Sequence, residues 1–333
     1  MLNESAASDM RLNLSRIEQA KRSLSPAFSD TPQYVCLALS RELDCEVTLK
    51  IETCNPIRCF KGRGAEIAIR RAIEEGHRSF VCASAGNLGQ GVAFCSRRSG
   101  FPAVVVAARA AERSKLHRIA EIGAELILVD GDIEIARRRA IEIAAGRGSY
   151  LIEDSENIGT CEGAGTIALE LLVEPEKQLD GVLVALGGGA MATGIGAVFK
   201  ARSPETKVVC VQPKGAPAMT LSLRAGEVVT TESTETIADG VAGRFPIAEV
   251  LWDLQEVVDD ALLVREESIV EAMRLLYRHS GLIVEPSAAL GIAAVLENPD
   301  IFRGKKIATI ICGANLAIRK FENWVHGKNG IGQ

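Results

Sequence analysis

Lys61 is the residue whose neighbours point most directly to covalent chemistry. It stands in Asn-Pro-Ile-Arg-Cys-Phe-Lys-Gly-Arg-Gly-Ala-Glu-Ile-Ala (55–68), just after an apolar strand and at the mouth of a helix. A positive helix end and apolar surroundings favour the neutral amine, the form that makes Schiff bases. Lys50 is the nearest rival, but it falls mid-strand and reads as structural. Three more segments place small residues at strand ends. Ser-Ala-Gly-Asn-Leu-Gly-Gln-Gly (84–91) opens a helix: Ser84 can cap it, and Gly86 lets backbone amides approach a carboxylate or phosphate. The segment 185–196 carries three consecutive glycines whose amides can wrap a phosphate. It also fits the dinucleotide pattern through Gly187, Gly189 and Ala192. The next strand, however, ends in Gln212 where a ribose-gripping acid would stand, so a nicotinamide dinucleotide loses its support. Thr-Ile-Ile-Cys-Gly-Ala-Asn (309–315) ends a strand at Cys312, a core thiol unless a ring nitrogen reaches it.

The elements that must position these groups are legible as alternation. Apolar, β-branched runs at 47–52, 79–84, 103–108, 125–130, 181–186, 207–212 and 306–312 predict strands. Amphipathic stretches at 64–76, 112–123 and 133–145 predict helices between them. Strand–helix–strand repetition implies an α/β fold with parallel sheets covered on both faces. At 333 residues, and ~150 per domain, the chain should form two lobes. No Gly/Ser-rich or Pro-rich linker divides it, so the lobes must arise from the chain crossing between sheets. The block 55–151, with three predicted strands, reads as a small domain, and 1–54 with 152–333 as the large one.

Composition narrows the function classes. Lys plus Arg number 38 against 43 Asp plus Glu, a net charge of -5, and aromatics are 4%. A basic stripe or a stacking platform is missing, which excludes nucleic acid as the main partner. Nine scattered cysteines, none in a Cys-x-x-Cys pair, read as buried free thiols in a reducing cytoplasm. The N-terminus has no secretory pattern and no run of about 20 apolar residues occurs, so no membrane association is expected.

From Thr31 to Asn315 the ordered set of segments resembles the pyridoxal-phosphate enzymes of the threonine/serine dehydratase family, in the tryptophan-synthase-β group (fold type II). It comprises Phe60-Lys61, Ser84-Ala85-Gly86-Asn87, Glu162–Glu170, the glycine loop, Glu235–Ala242, Val284–Ala289 and Cys312-Gly313-Ala314-Asn315. The resemblance implies a two-domain fold, often dimeric, with pyridoxal 5'-phosphate as cofactor. By it, Lys61 matches the Schiff-base lysine and Phe60 the aromatic beside it. Asn87 matches the residue bonded to the cofactor's phenolic oxygen. Gly187, Gly188, Gly189, Ala190 and Met191 match the phosphate cradle, Glu285 belongs with the cofactor site, and Cys312 matches the group facing the pyridine nitrogen. Ser84, Ala85, Gly86 and Asn87 match the substrate-carboxylate loop, with Ser84 also a catalytic candidate. A thiol at position 312 is a weak neutral donor, which leaves the ring nitrogen largely unprotonated and favours α,β-elimination over transamination.

The implied activity is conversion of a β-hydroxy amino acid (threonine, serine or 3-hydroxyaspartate type) to a 2-oxo acid and ammonia. β-Replacement, racemisation and a non-catalytic binding protein are the alternatives. Departures matter. Arg58 stands where the family has glycine, either facing solvent or assisting an acidic substrate. Ala85 lacks the hydroxyl that related racemases carry. Val211-Gln212-Pro213 and Ala218 lack the acids of a relative's cation site, so no tight metal is expected. The chain ends at Gln333, leaving no room for a feedback domain, and isoleucine inhibition is not expected.

Overall fold

The computed structural model describes residues 10–173 and 178–327. Among the described residues ten strands form: β1 (Gln33–Val35), β2 (Glu46–Ile51), β3 (Phe80–Ala83), β4 (Ala103–Ala108), β5 (Glu125–Val129), β6 (Tyr150–Leu151), β7 (Gly181–Ala185), β8 (Lys207–Pro213), β9 (Asp260–Val264) and β10 (Lys306–Ile311). They build two sheets. One has six strands in the order β1-β2-β10-β7-β8-β9, the other four in the order β5-β4-β3-β6. Every pairing is parallel except β1 with β2, which is antiparallel at the edge.

All seven predicted strands form, with ends within about two residues of the apolar runs. Central strands such as β7 are buried at every position, as sheets covered on both faces require. Three strands lie outside the predicted set: β1, β6 and β9. The four-stranded sheet therefore has one strand more than its block predicted. The helix Lys61–Glu74 begins three residues earlier than its periodicity indicated.

A second helix, Ile158–Leu171, is buried nearly all round and packs closely against Lys61–Glu74. A Cβ on Gly163 would fall 2.5 Å from Arg63 O and 2.7 Å from Gly64 Cα, so only glycine permits that approach. A buried ionic network locks the same junction. Arg63 donates to Glu52 (Nε–Oε2 2.7 Å, Nη2–Oε1 2.9 Å) and to both oxygens of Glu170 at 2.8 Å. Lys50 Nζ donates to Glu170 Oε2 at 2.6 Å and to Thr31 O at 2.8 Å. Lys50 is thus part of the scaffold. The Arg63 guanidinium and the ammonium groups of Lys50 and Lys21, the latter 2.6 Å from Glu170 Oε1, hold the Glu170 carboxyl well below the usual range, against the opposing effect of burial. The helix that starts at Lys61 is in this way fixed to β2 and to the six-stranded sheet.

Candidate active site

The carboxyl ends of β3, β7 and β10, with segments that follow β2 and β6, open onto one cavity of about 510 Å³, where parallel α/β sheets collect ligands. Its walls bring together segments that lie as far apart in sequence as Phe60 and Cys312. Phe60, Lys61, Ser84, Ala85, Gly86, Asn87, Gly187, Gly188, Gly189, Ala190, Met191, Glu285 and Cys312 all line it. Arg58 does not. It sits at φ 54°, an uncommon backbone state for a non-glycine residue, half-buried with its guanidinium near Arg118.

Lys61 opens its helix, whose N-cap position is Phe60 and has no side-chain cap; no acidic residue falls in the first turn. A cation there opposes the helix dipole. The compensation comes from Asp154, just beyond β6, whose two carboxylate oxygens lie 2.5 and 2.6 Å from Lys61 Nζ. The side chains are 17% and 31% exposed, so the pair faces the cavity. Phe60 packs beside the amine, with Nζ 4.8 Å from the ring centroid.

Opposite stands an amide cluster. Asn87 Nδ2 donates to Glu285 Oε1 at 2.8 Å, and Asn87 Oδ1 accepts from Asn315 Nδ2 at 2.8 Å. Glu285 Oε2 accepts from the Asn315 backbone N–H at 3.0 Å. Burial pushes the Glu285 carboxyl up to about 7, against the opposing pull of Lys115 and the two donors. A Cβ on Gly313 would fall 2.6 Å from Glu285 Oε2, so the carboxyl occupies space that glycine leaves open. Burial also pushes the Cys312 thiol well above its ordinary value, so it stays neutral.

The glycine loop ends at Gly189, which has φ 101° and serves as the N-cap of the helix Ala190–Arg202. That helix N-terminus points its free amides toward the cavity, a ready anion site. At the other loop the capping position falls on Gly86, not on Ser84. Ser84 Oγ instead accepts from the Gly86 N–H at 3.1 Å, which shapes the turn before the helix Asn87–Arg98.

Asp154, Lys115 and Glu112 escaped sequence reasoning, and Asp239 and Ser287 fell within quoted segments without being given a role; all five line the cavity. The available signal was position: Asp154 follows a strand at its carboxyl end, but that strand has only two residues. Ser287 Oγ is buried without a hydrogen-bond partner. Among the described residues no group of three or more His, Cys, Asp or Glu side chains could hold a metal ion. No described helix is long and apolar enough to cross a membrane.

These features suit a flat phosphorylated aldehyde. A lysine faces the cavity, a glycine-ended helix offers amides to a phosphate, a neutral thiol stands at a strand end, and an orphaned hydroxyl awaits a partner. The family described as pyridoxal-phosphate dependent enzyme matches residues 24–313. An L-threonine ammonia-lyase of Thermotoga maritima is 33% identical over 95% of this chain and 78% of that protein. A serine racemase of Oryza sativa subsp. indica is 31% identical over 90% of each chain. The solved structure of the processed form of threonine deaminase isoform 2 from Solanum lycopersicum superposes with a TM-score of 0.85 at 28% identity, covering 94% of this chain and 88% of that one.

Proposed function

Because the chain belongs to the family of pyridoxal-phosphate-dependent enzymes, we propose that it is a lyase converting a β-hydroxy amino acid to a 2-oxo acid and ammonia. The observation that carries this is the convergence of Lys61, Asn87, the glycine loop and Cys312 on one cavity. Similarity to a threonine ammonia-lyase and a threonine deaminase over most of both chains supports the reaction class.

Lys61 would hold the cofactor through its aldehyde carbon. Gly187, Gly188, Gly189, Ala190 and Met191 would take the phosphate on backbone amides and the helix end. Asn87, its amide fixed by Glu285 and Asn315, would face the ring hydroxyl, with Phe60 beside it and Cys312 at the ring nitrogen. When bound, pyridoxal phosphate supplies an electron sink for the charge left by removal of the α-proton.

The chain's own groups do the rest. Ser84, Ala85 and Gly86 lie where a helix N-terminus receives the substrate carboxylate, so the amino acid is held by its invariant end. With the cofactor bound, the Lys61 amine would be the base placed to take the α-proton. Cys312, a neutral and weak donor, would stand at the ring nitrogen, a setting that suits loss of a β-substituent over transamination. Racemisation needs a donor on the second face; Ala85 has no hydroxyl to supply one, and elimination is the principal activity.

The protein is also read as a cytoplasmic homodimer with no nucleic-acid or membrane partner, with residues 55–151 as its small domain. Nine free cysteines, eight of them buried, suit a reducing compartment. Exposed Tyr34, Leu37 and Tyr277 offer apolar area to a second copy. Sedimentation measures the assembly state. For the activity, 2-oxo acid and ammonia are measured on a panel of serine, threonine, phenylserine and 3-hydroxyaspartate. Release from at least one is expected. A colourless protein silent on the whole panel contradicts the proposal.

A further inference from the structure

The amine of Lys61 is held by one carboxylate. Among the described residues its only ion pair is with Asp154, whose oxygens lie 2.5 and 2.6 Å from Nζ. The other acids lining the cavity are engaged elsewhere. Asp239 pairs with Lys115, and Glu112 takes Lys320 Nζ at 3.0 Å. Glu285 accepts from the Asn87 side chain and the Asn315 backbone.

Asp154 is itself firmly mounted. Its backbone carbonyl accepts from the Thr160 hydroxyl. The next residue, Ser155, is fully buried; its Oγ donates to Gly188 O, and its carbonyl accepts from Arg11 Nη2 at 3.3 Å. On the other side, Glu153 N donates to Asn157 Oδ1 at 2.5 Å, and Arg137 Nε donates to the Glu153 carboxylate at 2.6 Å. The segment is thereby tied to the glycine loop and to the start of the helix Ile158–Leu171. A carboxylate on such a mount keeps its place, whereas the four-carbon stem of a lysine does not set its own.

In the lyase proposed above, on which this inference rests, the Lys61 amine takes the α-proton and passes from neutral to positive. We propose that Asp154 is the positioning residue for that step: it holds the amine at the cavity and answers the positive charge the amine gains. The transfer balances within substrate and lysine. The Cα–H bond breaks, its electron pair stays with carbon, and the proton forms a third N–H bond on Lys61. Asp154 stays ionised throughout and takes no proton. A fixed charge in contact with the atom where charge develops contributes about 10²–10³-fold to a rate. The two side chains are 17% and 31% exposed, so solvent screens part of the attraction and the effect belongs at the low end of that range.

The test compares wild type with the isosteric Asp154→Asn and the charge-keeping Asp154→Glu, on the best substrate of the hydroxy amino acid panel. In Asp154→Asn, kcat should fall about 100-fold with KM within about threefold of wild type, and Asp154→Glu should stay within about tenfold of wild type. With α-deuterated substrate, the isotope effect on kcat in Asp154→Asn should equal or exceed that of wild type. A smaller isotope effect puts the loss at another step, and a glutamate variant no better than asparagine removes charge as the cause; either overturns the proposal. A second readout needs no turnover. Acetic anhydride acylates a neutral amine and spares an ammonium. In cofactor-free, full-length protein, Asp154→Asn should raise labelling of Lys61 about tenfold, read by peptide mass spectrometry against exposed Lys207. Labelling at the wild-type rate overturns the proposal and leaves the lyase reading intact. A wild type that turns over no amino acid overturns both.

Discussion

Replacing Glu170 with glutamine probes whether the buried network holds the lysine-bearing helix in place. Glu170 is 4% exposed, and of the three cations on it Arg63 and Lys50 are each 1% exposed, while Lys21 is 24% exposed. In Glu170→Gln the side chain keeps its shape but offers a neutral amide to two buried cations. Breaking one buried pair costs about 3–5 kcal/mol, which in a chain of this size lowers Tm by about 4–7 °C. Glu52 still accepts from Arg63, which keeps the loss near the low end. The assay is calorimetric unfolding of the two proteins across pH. The folded carboxyl is held below its ordinary 4.5, so its contribution is complete above that pH and fades as pH falls through and beneath it. Wild type and Glu170→Gln should therefore differ most at neutral pH and converge in acid. A difference under about 1 kcal/mol at pH 7, or a gap that widens in acid, refutes the reasoning.

Three more outcomes are expected. Gly163→Ala puts a Cβ 2.5 Å from Arg63 O and forces two helices apart. It should cost about 2–3 kcal/mol, read as a lower denaturant midpoint with unchanged m. Thiol titration with an aromatic disulfide should find one fast-reacting group in native protein, Cys54, and nine after denaturation. Cys312→Ser keeps a neutral group at the strand end, and the elimination rate should stay within about tenfold of wild type, checked by 2-oxo acid release.

Legibility in the sequence followed the strength of the local physics. Buried parallel strands must be almost wholly apolar, so runs such as Ala103–Ala108 and Lys306–Ile311 stood out. β6 has two residues and β9 is an edge strand that opens on an aspartate; neither carries enough apolar pattern to register. The helix Ile158–Leu171 lacks an amphipathic face because it is buried nearly all round. Within the site, glycine loops and a lysine at a helix mouth are demanded by type and spacing, and so were visible. Asp154 belongs to no motif. It matters because the two sheets bring its strand end against Lys61, a tertiary fact with no trace in neighbouring residues. Ser84 shows the limit of capping rules, since a hydroxyl two residues upstream can bond the turn without being the cap.

The most direct test is borohydride reduction of the yellow holoenzyme, followed by peptide mass spectrometry. One cofactor-sized adduct on the peptide carrying Lys61, with no such adduct in Lys61→Ala, is the predicted result. An unmodified residue 61, or label on another lysine such as Lys115, contradicts the assignment of the site.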